Sequence, residues 1–195
     1  MGGGLRRASV ILNHQVPLDE RAAVEAPRIF LNRLSRSLGF RPAATVALMT
    51  GANIKRGGFA ITQRQELIVS AWCSAGCSNA LRVGDRATAP SGYSGTINIV
   101  VAINCPVAPA VLVEIVQLAV EARVVAVQDA RVMSVRSGLP ATGTGTDCIV
   151  VAAPTVSSKR GTRVILYGGK HTLLGELAGR AVLKCCTTAI AHPQD

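Results

Sequence analysis

Apolar residues in this chain come in short blocks early and in long helical stretches later, and the change of rhythm predicts the elements. Ser9-Val10-Ile11-Leu12 is a block of strand length ending at Asn13-His14. From Ala26 to Leu38 the apolar spacing is helical, with Pro27 in the first turn and Gly39 as the stop. Ala44 to Met49 is a strand-length run closed by Thr50-Gly51. Phe59 to Thr62 and Glu66 to Cys73 read as successive strands. Gly95 to Ile103 is rich in β-branched residues, with Thr96, Asn98, Val100 and Ala102 on one face, and Pro106 and Pro109 end it. The longest helix is predicted from Ala110 to about Val135. Its polar stripe is Glu114, Gln117, Glu121, Gln128 and Arg131, which leaves most of its surface for burial. Cys148 to Ala152 and Arg163 to Tyr167 read as buried strands joined by a polar loop from Pro154 to Gly161. Leu173, Leu177 and Ala181 then mark a last buried helix starting near His171 or Thr172, and residues 192–195 form a tail.

About three helices therefore interleave unevenly with six or seven strands, and strict β-α-β alternation fails in the middle. The fold class is α+β, or an irregular α/β arrangement, with a mixed sheet and helices packed on it in a single domain over residues 1–195. With 195 residues and 49% hydrophobic content the chain can bury a sizeable core. Aromatics are only 3%, so packing falls to Val, Ile, Leu and Ala. The apolar stretch from Ile97 to Val120 is long enough for a bilayer, yet Asn98, Asn104, Pro106, Pro109 and Glu114 interrupt it. A buried strand followed by a helix fits better. Without an apolar segment in its first ten residues the chain shows no secretory signal, and a cytoplasmic, soluble protein is expected.

The formal charge of +10 is concentrated early: residues 1–64 hold 10 Lys/Arg against 3 Asp/Glu, and the remainder 11 against 8. These cations are scattered, without a basic run or interleaved aromatics, so a solvated arginine-rich surface is favoured over a nucleic-acid interface. Six cysteines lack the paired spacing of a zinc site and read as free thiols.

Three clusters can carry chemistry. The first is Trp72-Cys73-Ser74-Ala75-Gly76-Cys77-Ser78-Asn79-Ala80-Leu81-Arg82-Val83-Gly84-Asp85, at the end of a predicted strand. Cys73 or Ser74 there would need a neighbouring base to act as a nucleophile, and the sequence supplies none nearby. The second is Thr142-Gly143-Thr144-Gly145-Thr146-Asp147, which runs into a strand rather than opening a helix, the wrong context for a dinucleotide fingerprint. Asp147 reads either as a general base, or partner to His171 or Lys170, or as a cap on nearby backbone N–H groups. The third is Tyr167-Gly168-Gly169-Lys170-His171-Thr172, followed by Glu176 and Arg180. Here free N–H groups of a helix start stand beside a lysine and a histidine, suited to holding a carbonyl, carboxylate or phosphate oxygen. Glu176 lies about 140° around a helix from His171 and four residues before Arg180, so an ordinary ion pair with Arg180 competes with a catalytic role. His14 reads as structural.

These clusters, in this order, resemble the adenosylcobinamide amidohydrolase family. The resemblance rests on Ser74 to Asp85, on Gly143 to Ala152 and on Gly169 to Val182, with a weaker match from Val46 to Ala52. It spans nearly the whole chain, and Cys77 stands where the family usually has an apolar residue. The resemblance implies an amide hydrolase of cobamide salvage that splits adenosylcobinamide into adenosylcobyric acid and 1-amino-2-propanol. Motif positions carry over as candidates: Asp147 to activate water, Lys170 with the helix-start N–H groups for the oxyanion, His171 to protonate the amine and Glu176 to assist it. Asn79 and Arg82 are candidates for the corrin's peripheral amides or its adenosyl group. Ser78, Thr144, Thr146 and Gly169 complete the substrate-binding set. The partner is a small-molecule corrinoid rather than nucleic acid or a membrane. No cofactor and no protein metal site are expected, and a homo-oligomer is left open. The alternative is a corrinoid-binding or carrier protein without hydrolysis.

Overall fold

A computed structural model describes residues 3–17, 20–87, 95–155 and 164–191. The elements in chain order are β1 (Val10–Gln15), α1 (Arg21–Glu25), α2 (Pro27–Ser37), β2 (Thr45–Thr50), β3 (Gly58–Arg64), β4 (Leu67–Ala75), β5 (Ala80–Leu81), β6 (Ile97–Ile103), α3 (Pro109–Asp129), β7 (Gly143–Thr144), β8 (Cys148–Ala152) and α4 (Leu173–Ala191). The fold is α+β. Its main sheet has the order β3-β4-β6-β8, antiparallel except for the parallel pair β6 and β8. β1 and β2 form a separate parallel pair, and the short β5 and β7 form another sheet.

One face of the main sheet is apolar at every second position. Val69, Ala71 and Cys73 of β4 and Ile97, Ile99 and Val101 of β6 are buried against α3 and α4. Each such Val, Ile or Leu, fully buried, contributes about 1.5–3 kcal/mol of transfer free energy. Small residues let α4 lie close: a Cβ at Gly58 would overlap the backbone of Cys185. Cys185 itself joins Cys73 and Cys186 in a buried thiol cluster. Hydrogen bonding with Cys185 and burial hold Cys73 and Cys186 above the ordinary thiol range. The other face leaves Phe59 and Ile61 exposed. The β1–β2 layer meets the main sheet through polar contacts. Asn98, fully buried on β6, donates from Nδ2 to Met49 O and Asn13 Oδ1, both at 2.8 Å, and Asn13 Nδ2 donates to Ser74 Oγ at 3.2 Å. Ser74, a sequence candidate for nucleophile, is thus a fully buried strut between layers.

Two helix ends show what the pattern could and could not give. α2 stops where Gly39 takes φ +81°, with Gly39 N bonded to Arg36 O and Phe40 N to Ser35 O, a Schellman ending. α3 ends in the same way, with Arg131 at φ +54° in the glycine position, Arg131 N bonded to Gln128 O and Val132 N to Val127 O. The helix is therefore shorter than the predicted span to Val135, because arginine carries no stop signal. The predicted strand over 163–167 reduces, among described residues, to a single bridge from Ile165 to Val107. Arg163, most of the 154–161 loop and the tail lie outside the described residues. Among the described residues, no helix is long and apolar enough to cross a membrane.

Candidate active site

The turn before α4 is built from its glycines outward. Thr172 caps the helix: its Oγ1 accepts from Gly175 N at 3.0 Å and donates to Gly169 O at 2.8 Å. The turn lies so close on the helix that a Cβ at Gly175 would overlap the carbonyl of Gly169. Gly168 N donates to Glu114 of α3, and Lys170 Nζ pairs with Glu121 of α3 at 2.5 Å, which holds Glu121 below the usual carboxylate range. His171 is exposed and, among the described residues, makes no hydrogen bond; its ring lies against Gly169, where a Cβ would stand 3.4 Å from Cε1. Glu176 in the first helical turn is shared between Arg64 Nη1 at 3.3 Å and Arg180 Nη1 at 3.0 Å. Arg64, Lys170, His171, Thr172 and Glu176 line one cleft of about 390 Å³, room for a side arm rather than a whole corrin. It offers an exposed imidazole, cations and helix N–H groups.

Asp147 lies elsewhere. Its carboxylate accepts from Arg123 Nη1 at 2.9 Å, Ile97 N at 3.0 Å, Thr144 N at 2.9 Å and the Thr144 hydroxyl. Its side chain is only 8% exposed. Four donors around a nearly buried carboxylate make a clamp on the Thr144 loop and the start of β6, and engage the lone pairs with which it would take a proton from water. Arg82, Thr144 and Asp147 share a second cleft with Leu81, Thr142 and Arg123. Arg82 donates to Pro140 O at 2.8 Å and its backbone N–H to Asp85 Oδ2 at 2.8 Å; a hydrogen bond from Ser134 holds Asp85 below the usual carboxylate range. Thr146 Oγ1 meets Thr96 Oγ1 at 2.7 Å. Ser78 and Asn79 sit in the turn between β4 and β5, and Asn79 Oδ1 is buried without a partner among the described residues. Burial, with the charge of Asp147, pushes the nearby Cys77 thiol up to about 11.

The structure does not bring Asp147 to His171. Arg64 closes β3, which pairs with the start of β4, whereas Asp147 bonds Ile97, which pairs with the end of β4. The seven residues of β3 separate these ends by about 20 Å. On α3 the two clefts take Glu121 and Arg123, two residues and about 200° apart on the helix. Lys170, His171, Gly169 and Glu176 therefore form one group. Asp147, Thr144, Thr146, Arg82, Asn79 and Ser78 gather at the other end.

Sequence reasoning missed Arg64, Arg123 and the Asn13–Ser74–Asn98 cluster. Arg123 interrupts the apolar middle of α3 off its polar stripe, and that displacement was its signal. Asn98 is the one amide inside a β-branched strand.

The family model described as adenosylcobinamide amidohydrolase matches residues 1–195. Among curated proteins, the chain is similar to the uncharacterized protein MJ1613 of Methanocaldococcus jannaschii. The two are 27% identical over 206 residues, covering 96% of this chain and 78% of that protein. No solved structure matches.

Proposed function

The chain belongs to the adenosylcobinamide amidohydrolase family, and on that premise we propose that it hydrolyses the amide between the aminopropanol arm and the corrin of adenosylcobinamide, as a cobamide salvage step. Adenosylcobyric acid and 1-amino-2-propanol are the products. The observation that carries the reading is the gathering of Lys170, His171 and Glu176 with Arg64 in one cleft at the start of a buried helix. His171 takes a proton from water as the water oxygen attacks the amide carbon, then gives it to the nitrogen as the C–N bond breaks. Lys170 and the α4 N–H groups face the developing oxyanion. Glu176, held by Arg64 and Arg180 in the same cleft, assists His171 once substrate is bound. Asp147, which its sequence context also allowed as a base, acts in this reading as a clamp. The cobalt belongs to the substrate.

Purified protein incubated with adenosylcobinamide should release aminopropanol, read by mass spectrometry, and His171→Ala should lower kcat by a factor of about 10²–10⁴. Unchanged turnover in His171→Ala would remove the assignment. Corrinoid binding without release would put the carrier reading in its place.

A further inference from the structure

We propose that the second cleft, between β5 and β7, binds a primary carboxamide on the rim of the corrinoid, at the end of the sheet away from His171; this rests on the corrinoid reading above. Charge narrows the ligand first. Asp147 offsets Arg123 in the cleft wall, and Asp85, bonded to the Arg82 backbone N–H just outside it, stands near the remaining guanidinium, which tempers the pull on a carboxylate or phosphate and leaves room for a dipolar group. Hydrogen bonding narrows it further. The guanidinium of Arg82 is exposed beyond its one bond to Pro140. The Thr142 hydroxyl accepts from Val83 N at 2.8 Å and has its own proton to give, while Thr144 Oγ1 gives its proton to Asp147, accepts a long bond from Thr146 N at 3.5 Å and keeps its second lone pair. Donors for a carbonyl thus stand beside an acceptor for an N–H, the pattern that a –CONH2 group completes.

Two independent observations point to an occupant. The one buried side-chain donor without a partner among the described residues is Nε of Arg123, in the wall of this cleft. It faces Gly143, which has no side chain to shut it off: a Cβ there would stand 3.2 Å from Nε. A buried donor left unpaired is unfavourable, and a ligand carbonyl would relieve it. Secondly, Val83 is 81% exposed at the cleft mouth beside Leu81, an apolar edge for a ring that carries the carboxamide. Gly145 keeps the floor low, since a Cβ there would already touch Leu81 Cδ1 at 3.3 Å.

The test is equilibrium dialysis with cobyric acid and with cobinamide, read by corrin absorbance. It compares wild type, Arg82→Gln, Gly145→Leu and, as control, the exposed Lys184→Gln, with thermal unfolding recorded for each. We expect Kd for both ligands to rise about tenfold or more in the two cleft variants and to stay put in the control, with the melting temperatures kept. Two molecules of corrinoid bound per chain, one lost in the cleft variants, would make the cleft a separate site. One molecule per chain would make it the distal grip on the molecule being cleaved. Unchanged Kd in both cleft variants overturns the proposal while leaving hydrolysis standing. Cleft-dependent binding of cobyric acid without aminopropanol release sinks the hydrolase reading and keeps the site; no corrinoid binding at all sinks both.

Discussion

Asp147→Ala tests the split between the two clefts most directly. The substitution removes one member of a nearly buried ion pair, leaving Arg123 with a side chain 14% exposed and without its carboxylate. Breaking such a pair from one side costs about 3–5 kcal/mol. The N–H groups of Ile97 and Thr144 lose their acceptor as well, at about 1–3 kcal/mol for each that water fails to reach. A loss of at least about 4 kcal/mol follows, against a total stability of about 5–15 kcal/mol for a domain. At about 2–4 °C per kcal/mol the melting temperature should drop by about 8 °C or more. Asp147→Asn keeps an acceptor oxygen but not the charge, and should lose roughly half as much. Adding Arg123→Gln to it should recover part of the loss. Urea unfolding followed by the single tryptophan, Trp72, reads all three variants. A loss below about 1 kcal/mol in Asp147→Ala would refute the clamp. Kinetics supply the second arm. Asp147→Asn, assayed while still folded, should raise KM and lower kcat by no more than about threefold, since the His171 cleft lies at the opposite end of β4. A hundredfold fall in kcat with stability intact would return Asp147 to the role of base.

Gly175→Ala should push Gly169 and the Lys170-His171 turn off α4, costing about 1–3 kcal/mol by overpacking and a larger share of kcat than of stability; unfolding curves beside kinetics check it. Glu176→Gln removes two exposed ion pairs and should cost under about 1 kcal/mol, yet lower kcat about tenfold if the carboxylate assists His171. Among the cysteines, exposed Cys148 should alkylate first, Cys77 and Cys105 more slowly, and Cys73, Cys185 and Cys186 only on unfolding, as peptide mapping would show. With the Cys77 thiol held at about 11 against an ordinary 9.0, the unfolded chain gives up this proton first. Its contribution to stability should be flat below about pH 9 and fall as the pH rises toward 11, and Cys77→Ala should flatten that limb.

The elements legible in the sequence are those whose signal is local. β2, β4, β6 and β8 are apolar blocks, and α2 carries both a proline at its start and a glycine at its stop. α1 was illegible because five residues are too few for a period to show, and Pro27 restarts the helix directly after it. The end of α3 was illegible because its left-handed position is filled by Arg131. β5 and β7 have two residues each and exist only by pairing across about sixty residues of chain, which no window reports.

The site was legible in its residues and illegible in its arrangement, and the reason is the direction of β4. A strand read from sequence has two ends but no neighbours, so clusters at strand ends look alike. In the sheet, β4 runs antiparallel to both β3 and β6. Its last residues, Ser74 and Ala75, therefore lie with Ile97 and Asp147, while the turn closing β3 at Arg64 lies with Glu176 and His171. Both motif groups keep their chemistry under this sorting. Acid and base groups with room to move collect at the α4 cleft. Amides, hydroxyls and a saturated carboxylate collect at the other end, where they suit holding rather than reacting. The hydrolysis proposed above, of one arm on a large ring, asks for both kinds of site, and it is the antiparallel pairing of three strands that sets them apart.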